Sequence, residues 1–570
     1  MGMELIDGAA FLIFFLVSSR FSVAQPHRYV AGDLIPLFSN VIRPFHNPSE
    51  TYHYYDLPYC RPPGEVKWKK ETLGEVLRGH RLISSPYTVN FLENRKKARL
   101  CSMALNRQQI RLFRNAIEND YCFQMQLDDL PFWGFVGRVE HLTAERNPKD
   151  PIKYHLFTHI DLTISHKENS VIEVSAFGDP VSAIDVTEAS DLNAEFTYSV
   201  TWNESSKYPY QRMERYSKAA TLPSRAKIHR FSLVNSIAVL LLSIGLLGFM
   251  ISDRSNKDYN EPDEDPEGKN GFRCPKNLKL FCAVLGTGTH LLATVLSLFV
   301  LSFLGYNHVS SSVLSYAITS FIGGYSATSF YCKFAEIGWP SVIFLTGILF
   351  SGPFFVVVFT LNAIAVFYNS TMAIPFTTWV VLLTIHLFLT LPMLALGGVT
   401  GYCFRTVFTS HSKRSPRENT APFRRKEAAA HVFFGGVLPF LAFICEFHYL
   451  CATIWGYKVY TSPAIMFVSF ATFVFVNALV SVGFSYRQVT GGEDGWWWRC
   501  VIRGGSPAVL MYCYCGVFFA RSEMKGLLQM GFFFGYSACL CFAVFLMLAS
   551  VGFLSSFVVV FRICDAAKRE

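Results

Sequence analysis

From Phe231 to Val560 the chain carries one long apolar stretch after another, separated only by short polar breaks. A helix rises about 1.5 Å per residue, so crossing roughly 30 Å of hydrocarbon takes about 20 apolar residues. Nine stretches reach that length, at approximately 231–251, 279–304, 310–332, 341–367, 375–402, 431–456, 463–486, 500–520 and 528–560. A buried helix of a soluble protein rarely repeats at this length without a polar face. The spacing therefore predicts a multi-pass α-helical membrane protein with nine transmembrane helices over 226–570.

Composition agrees and narrows the options. With 570 residues, 51% hydrophobic and 16% aromatic, the chain is too long for one domain and too apolar for an ordinary soluble one. The net charge of +9 does not fall as a basic cluster on a foldable module with stacking aromatics, so no nucleic-acid partner is expected. Cytoplasmic loops account for the excess. Of fifteen cysteines, Cys60, Cys101 and Cys122 precede the membrane block, and no CxxC pair occurs. No zinc site or other cofactor is expected.

The apolar run Ala9–Val17 is too short to span, and Ser22-Val23-Ala24 offers small residues at the spacing a signal peptidase accepts. Residues 1–24 read as a signal peptide, although Glu4 and Asp7 stand where basic residues are usual. An uncleaved anchor is the alternative. Either way the following segment, 25–225, enters a lumen.

Alternating apolar and polar positions in Tyr154–Ile164, Val171–Ser175 and Phe196–Trp202 have the period of half-buried strands. One helix interrupts them, with Asn106 as N-cap, Gln109 closing a capping box, and Ile110, Phe113 and Ile117 on one face. A mainly β, sandwich-like lumenal domain carrying one helix is expected. Asp128-Asp129, followed by Pro131, reads as a turn and not as a catalytic pair, because adjacent turn residues point in different directions. No nucleophile elbow is visible, and an enzyme is not expected. Asn203-Glu204-Ser205 is a glycosylation sequon. An oxidising lumen permits a disulfide; Cys60 with Cys101 is the favoured pair, and one of the three thiols is left over.

Loop charge tests the topology. The 403–430 loop carries Arg405, Lys413, Arg414, Arg417, Arg424, Arg425 and Lys426, whereas 305–309 and 368–374 carry no Lys or Arg. That is the positive-inside bias for a lumenal head and a cytosolic tail. The mildly basic Arg521–Leu527 loop runs slightly against it. A second sequon, Asn369-Ser370-Thr371, lies too close to the bilayer to be modified. The acidic Glu261–Glu267 stretch reads as a solvated loop.

Several stretches together carry a resemblance to a known family. They are Tyr52-His-Tyr-Tyr-Asp-Leu-Pro-Tyr-Cys-Arg-Pro62, Leu73-Gly-Glu-Val-Leu-Arg-Gly-His-Arg81 and Phe123-Gln-Met-Gln-Leu-Asp-Asp-Leu-Pro-Phe-Trp-Gly-Phe-Val-Gly137, then Gly286-Thr-Gly-Thr289, Gly435-Gly-Val-Leu-Pro-Phe440 and Glu493-Asp-Gly-Trp-Trp-Trp-Arg499. In this order they resemble the nonaspanins, the transmembrane 9 superfamily, and the resemblance implies a signal peptide, a large lumenal domain and nine spans. It also implies a Golgi and endosomal protein acting in membrane-protein sorting, adhesion and phagocytosis. Two departures stand out. Ser412–Ala430 diverges from the Pro-rich, basic motif usual before the sixth span, and Cys122 replaces a commoner aromatic residue, which favours leaving it outside the disulfide.

Within the spans, Glu446 is the strongest functional candidate. An acid at that depth costs about 2.5 kcal/mol or more, so it is expected to face the bundle interior. His386, His290 and Asn362 are further intramembrane polar residues and potential partners. The glycine pairs at 323–324 and 397–398, and Gly286-Thr-Gly-Thr289, read as close helix packing. Trp496–Trp498 reads as an interfacial anchor. The terminal Lys568-Arg569-Glu570 looks like the tail through which similar proteins engage coatomer and stay in the Golgi. The expected function is binding of client membrane proteins with glycine-rich or polar spans and assistance in their sorting. The rival is a proton or small-solute transporter with Glu446 as carrier group.

Overall fold

The computed structural model describes residues 27–141, 152–188, 191–207, 225–260, 275, 277–304, 309–405, 425–455, 463–490 and 496–566. The segment 1–24, the Glu261–Glu267 stretch, Ser412–Ala421 and the tail residues Lys568 and Glu570 lie outside them. The chain divides into two compact units.

The first unit is built from residues up to Asn40, Leu57–Lys67 and Ile83–Arg215. One four-stranded sheet holds β1 (Arg95–Leu105), β2 (His159–Lys167), β3 (Ser170–Gly178) and β4 (Leu192–Glu204) in the order β3-β2-β4-β1. The β2–β4 pair is parallel and the other neighbours are antiparallel. Buried residues alternate along β2 and β4, which is why the period-two pattern located both strands. The run from Tyr154 is not one strand, however. It ends at Leu156 and restarts at His159, because Thr158 turns its hydroxyl to the Ser182 carbonyl at 2.6 Å.

Helix α1 (Arg107–Glu118) starts where its sequence dictates. The Gln109 N–H donates to Asn106 Oδ1 at 2.9 Å and the Asn106 N–H donates to Gln109 Oε1 at 3.0 Å, while Ile110, Phe113 and Ile117 are buried. Asp128 and Asp129 have φ of 47° and 62° and close the two-residue hairpin between Tyr121–Leu127 and Leu130–Phe135, the conformation that short polar residues tolerate best. Asp128 also accepts from Tyr29 Oη at 2.7 Å and contacts His27 Nδ1 at 2.8 Å. Cys60 and Cys101 are joined by a disulfide; Cys122 is buried and outside it. Asn203 is exposed near the end of β4.

The second unit holds the helices. They are α2 (Arg225–Asn260), α3 (Leu278–Phe303), α4 (Val309–Tyr331), α5 (Trp339–Leu349), α6 (Ser351–Phe367), α7 (Phe376–Ile385), α8 (Leu391–Cys403), α9 (Arg425–Ile454), α10 (Pro463–Thr490), α11 (Trp496–Gly505), α12 (Pro507–Arg521) and α13 (Leu527–Ala566). Three of the predicted spans are thus broken, each beside a proline that cannot donate to the preceding turn. α5 gives way to α6 just before Pro353, and α11 to α12 before Pro507. Between α7 and α8 a π turn, His386–Thr390, precedes Pro392, and there the Leu391 N–H reaches back to the His386 carbonyl.

Among the described residues, eight helical spans are long and apolar enough to cross a membrane, not nine. The remaining predicted span is α4, which has 23 residues but is rich in serine and threonine. Its polar groups are answered inside the bundle. Thr319 bonds Thr294 at 2.8 Å, Ser315 bonds Ser297, and Ser320 donates to the Thr390 carbonyl at 2.9 Å. Its backbone also accepts, since His290 Nε2 donates to the Tyr316 carbonyl at 2.8 Å. A helix whose hydroxyls are paired with neighbouring helices does not need the hydropathy of one that faces lipid.

Glycines let these helices approach. A Cβ on Gly286 would lie 2.5 Å from Ala327 Cβ and 2.7 Å from the Gly323 carbonyl oxygen, one on Gly324 would strike the Leu394 carbonyl, and one on Gly397 the Phe321 carbonyl. α3, α4 and α8 therefore pack backbone against backbone.

Two stretches that precede the helices in sequence, Val41–Asp56 and Trp68–Leu82, also belong to the second unit. Thr51 accepts from Ser370 and from the Thr371 N–H, both at 2.9 Å, Ser49 N–H donates to Gln529 Oε1 at 2.8 Å, and Lys525 N–H donates to Asn47 Oδ1 at 3.0 Å. Arg81 Nη2 reaches the Ala373 carbonyl at 2.9 Å. With Ser370 and Thr371 committed to Thr51, the second sequon is packed into this contact.

The same contact has a built-in pH response. Burial holds the His80 imidazole down at about 4, with Arg78, Arg43 and Arg81 adding to the depression and Glu75 opposing it. A histidine whose folded value lies below its unfolded one contributes stability that is full above pH 6.5 and is lost as pH falls through that value toward 4. At pH 5 the loss is on the order of 2 kcal/mol. Hydrogen exchange of Arg78–Leu82, corrected for intrinsic rate, is expected to speed up between pH 7 and pH 5 in the full chain and to lose that dependence in His80→Gln. Equal dependence in both proteins contradicts the assignment.

Candidate functional site

The most demanding residue in the helical unit is Glu446, which is 0% exposed in the middle of α9. The sequence around it explains the placement. Phe443 and Phe447 are buried on the same helix, and Phe443 stacks on Phe473 of α10 with ring centroids 4.8 Å apart. One turn earlier, Pro439 interrupts the helix interior, and Gly435 and Gly436 bring α9 close to α11 and α12. A Cβ on Gly435 would strike the Arg503 side chain, and one on Gly436 would lie 2.6 Å from Ser506 Oγ. α2 supports the other side, with Ser236 Oγ donating to the Ala442 carbonyl at 2.8 Å and Asn235 Nδ2 to the Leu441 carbonyl at 2.7 Å.

α10 brings further buried polar groups to this packing. Ser469 and Asn477 are enclosed. Asn477 Nδ2 donates to the Leu548 carbonyl at 3.0 Å, while Asn477 Oδ1 and Ser469 Oγ have no hydrogen-bond partner among the described residues. An enclosed acid and unsatisfied amide and hydroxyl oxygens are costly in an apolar core.

The other predicted polar residues are held elsewhere. His290 bonds the Tyr316 carbonyl. Asn362 Oδ1 accepts from the Ile374 N–H at 2.7 Å, closing the connection between α6 and α7. His386 opens the π turn and lies edge-on to Phe355 at 5.5 Å. Among the described residues no group of three or more His, Cys, Asp or Glu side chains is arranged to hold a metal ion.

The tryptophan triplet is a correction. Trp496 and Trp497 are buried in an aromatic cluster, with Trp497 at 5.5 Å from Phe281, 5.6 Å from Phe334 and 5.3 Å from Phe553. They form core, not an interfacial anchor, because α11 presents Trp496, Trp497, Cys500 and Arg503 on one buried face. Arg503 was missed in the sequence. Its Nη2 donates to Ser485 Oγ at 2.7 Å and its Nη1 to Gln488 Oε1 at 3.2 Å, with the guanidinium 5.2 Å above the Phe484 ring. The i, i+4, i+7 spacing of Trp496, Cys500 and Arg503 was the available signal.

The sequence is similar to known proteins over nearly its whole length. The Endomembrane protein 70 family profile matches residues 51–527. Transmembrane 9 superfamily member 5 of Arabidopsis thaliana is 41% identical over 565 residues, covering 95% of this chain and 96% of the relative. The chain belongs to the transmembrane 9 superfamily. Member 3 from the same plant is 39% identical over 582 residues, with 98% of each chain covered. Member 1 of Mus musculus is 34% identical over 561 residues, covering 93% and 92%. As a transmembrane 9 superfamily protein the chain is a multi-pass membrane protein, and the buried acid and the glycine contacts described above are features of that membrane part.

Proposed function

We propose that this transmembrane 9 superfamily protein works in Golgi and endosomal membranes, where it binds client membrane proteins within the bilayer and assists their sorting. In this reading the N-terminal unit is lumenal and carries a glycan on the exposed Asn203. The C-terminus is cytosolic and engages coatomer through Lys568 and Glu570. Glu446 supplies a polar group inside the bundle, and no cofactor takes part.

One observation carries the reading. Inside the bundle, glycines serve close helix approach, but on α2 Gly245 and Gly248 face outward with nothing within 4 Å of a Cβ at either position. They sit among the exposed Leu241, Leu242, Ile244 and Phe249. Small residues a turn apart on a lipid-facing helix let a second helix come close enough for backbone-level contact. A client with a glycine-rich span fits that surface.

The test is clean because the space is open. Gly245→Leu/Gly248→Leu is expected to leave the purified protein folded. It is also expected to lower, several-fold, the co-purification of a reporter protein with a glycine-rich transmembrane segment. Undiminished co-purification contradicts the reading.

A further inference from the structure

The stretch Trp68–Leu82 packs with the helices, and its position relative to their ends is fixed by several contacts. A Cβ on Gly79, where φ is +74°, would lie 2.5 Å from Met372 Sδ, so the turn presses directly on the α6–α7 connection. Next to it Arg81 Nη2 donates to the Ala373 carbonyl at 2.9 Å. Met372 and Ala373 lie between Phe367, the last residue of α6, and Phe376, the first of α7. Those two residues are 83% and 81% exposed, as aromatic residues at the lipid-facing end of a span are. The Gly79–Arg81 turn therefore lies at the level where the helices leave the hydrocarbon.

Trp68 is tied to the same level. The Lys69 N–H donates to the Leu82 carbonyl at 2.9 Å, placing Trp68 and Lys69 beside the residue that follows Arg81. The Trp68 indole touches the His53 ring edge-on at 5.8 Å and is otherwise open, at 62% exposed. Lys70 lies close by and is exposed, and Arg78 is exposed in the adjoining turn. An indole favours the headgroup region of a bilayer, and basic side chains near it favour a negatively charged surface.

We infer that Trp68, with Lys70 and Arg78, forms a contact site for anionic lipid headgroups of the bilayer the chain itself spans, at the end where α6 and α7 meet. The indole enters the boundary between headgroups and acyl chains, and the basic side chains take the phosphate. Each basic residue at such a surface is worth about fivefold in headgroup affinity.

The full chain is reconstituted into nanodiscs in which either phosphatidylglycerol or phosphatidylcholine, in a mixture of the two, carries brominated acyl chains. Subtracting the emission of Trp68→Phe from that of the unaltered chain isolates this one of nine tryptophans. The Trp68 component is expected to be quenched, about twofold or more strongly by the brominated anionic lipid at low salt. That preference is expected to vanish near 1 M salt, where the screening length is about 3 Å, and in Lys70→Gln/Arg78→Gln, which lies on the exposed surface and leaves the fold intact. If neither brominated lipid quenches this component, the indole sits in water or under another protein and the proposal fails. Equal quenching by both lipids, unchanged by salt or by the Lys70 and Arg78 substitutions, overturns the anionic-headgroup assignment.

Discussion

Gly324→Ala is expected to lower the unfolding temperature of the purified protein by several degrees, and Gly324→Leu to prevent recovery of a monodisperse species. The reason lies in the α4–α8 contact. A Cβ at Gly324 collides with the Leu394 carbonyl and lies 2.9 Å from the Gly398 N–H, and Gly397 and Gly401 meet the backbone of α4 in the same way. Backbone cannot rotate aside as a side chain can, so the two helices must separate. Overpacking of a well-fitted core costs about 1–3 kcal/mol even where side chains yield, and separating α4 from α8 also strips Ser320 of the Thr390 carbonyl. Gly516→Ala is the matched comparison, since nothing lies within 4 Å of a Cβ there. Equal thermal unfolding of Gly324→Ala and Gly516→Ala would show that α4 is not held by close approach.

The second large effect belongs to the N-terminal unit. Cys101→Ser is expected to destabilise it by about 4 kcal/mol, the loop-closure value for a 41-residue separation. Cys60 lies on Leu57–Lys67, a segment of the first unit flanked on both sides by stretches of the second. The disulfide ties that segment to β1, and without it the segment is anchored only by packing and backbone bonds. Limited proteolysis of the full chain in detergent is expected to cut between residues 57 and 105 far faster in Cys101→Ser, with the helices still intact. Unchanged cleavage contradicts the role given to the disulfide.

What the sequence revealed follows from how local each signal is. The capping box at Asn106 and the positive-φ turn at Asp128-Asp129 depend on residues a few positions apart, and both lie where their chemistry requires. Span lengths are local too, and each apolar run became a helix or a helix pair. Hydropathy is weakest at 310–332, which became α4, because its serine and threonine hydroxyls are satisfied by residues far away in sequence. It misled at Trp496–Trp498, because aromatic residues at a span end serve equally well as anchor or as core, and only Phe281, Phe330 and Phe553 decide the case. Glu446 was legible as a buried acid from its depth alone. Its setting beside the Phe443–Phe473 stack was not, nor was the packing of Val41–Asp56 against helices more than 300 residues later, because no periodicity encodes a distant partner.

The proposed sorting role stands on the tail lying on the opposite side of the bilayer from the N-terminal unit, which requires α4 to count as a crossing. An epitope placed after Glu570 measures this in cells whose plasma membrane alone has been opened. The account predicts that antibody reaches the epitope at once, on the cytosolic face of internal membranes. Staining that appears only after those internal membranes are dissolved would contradict it.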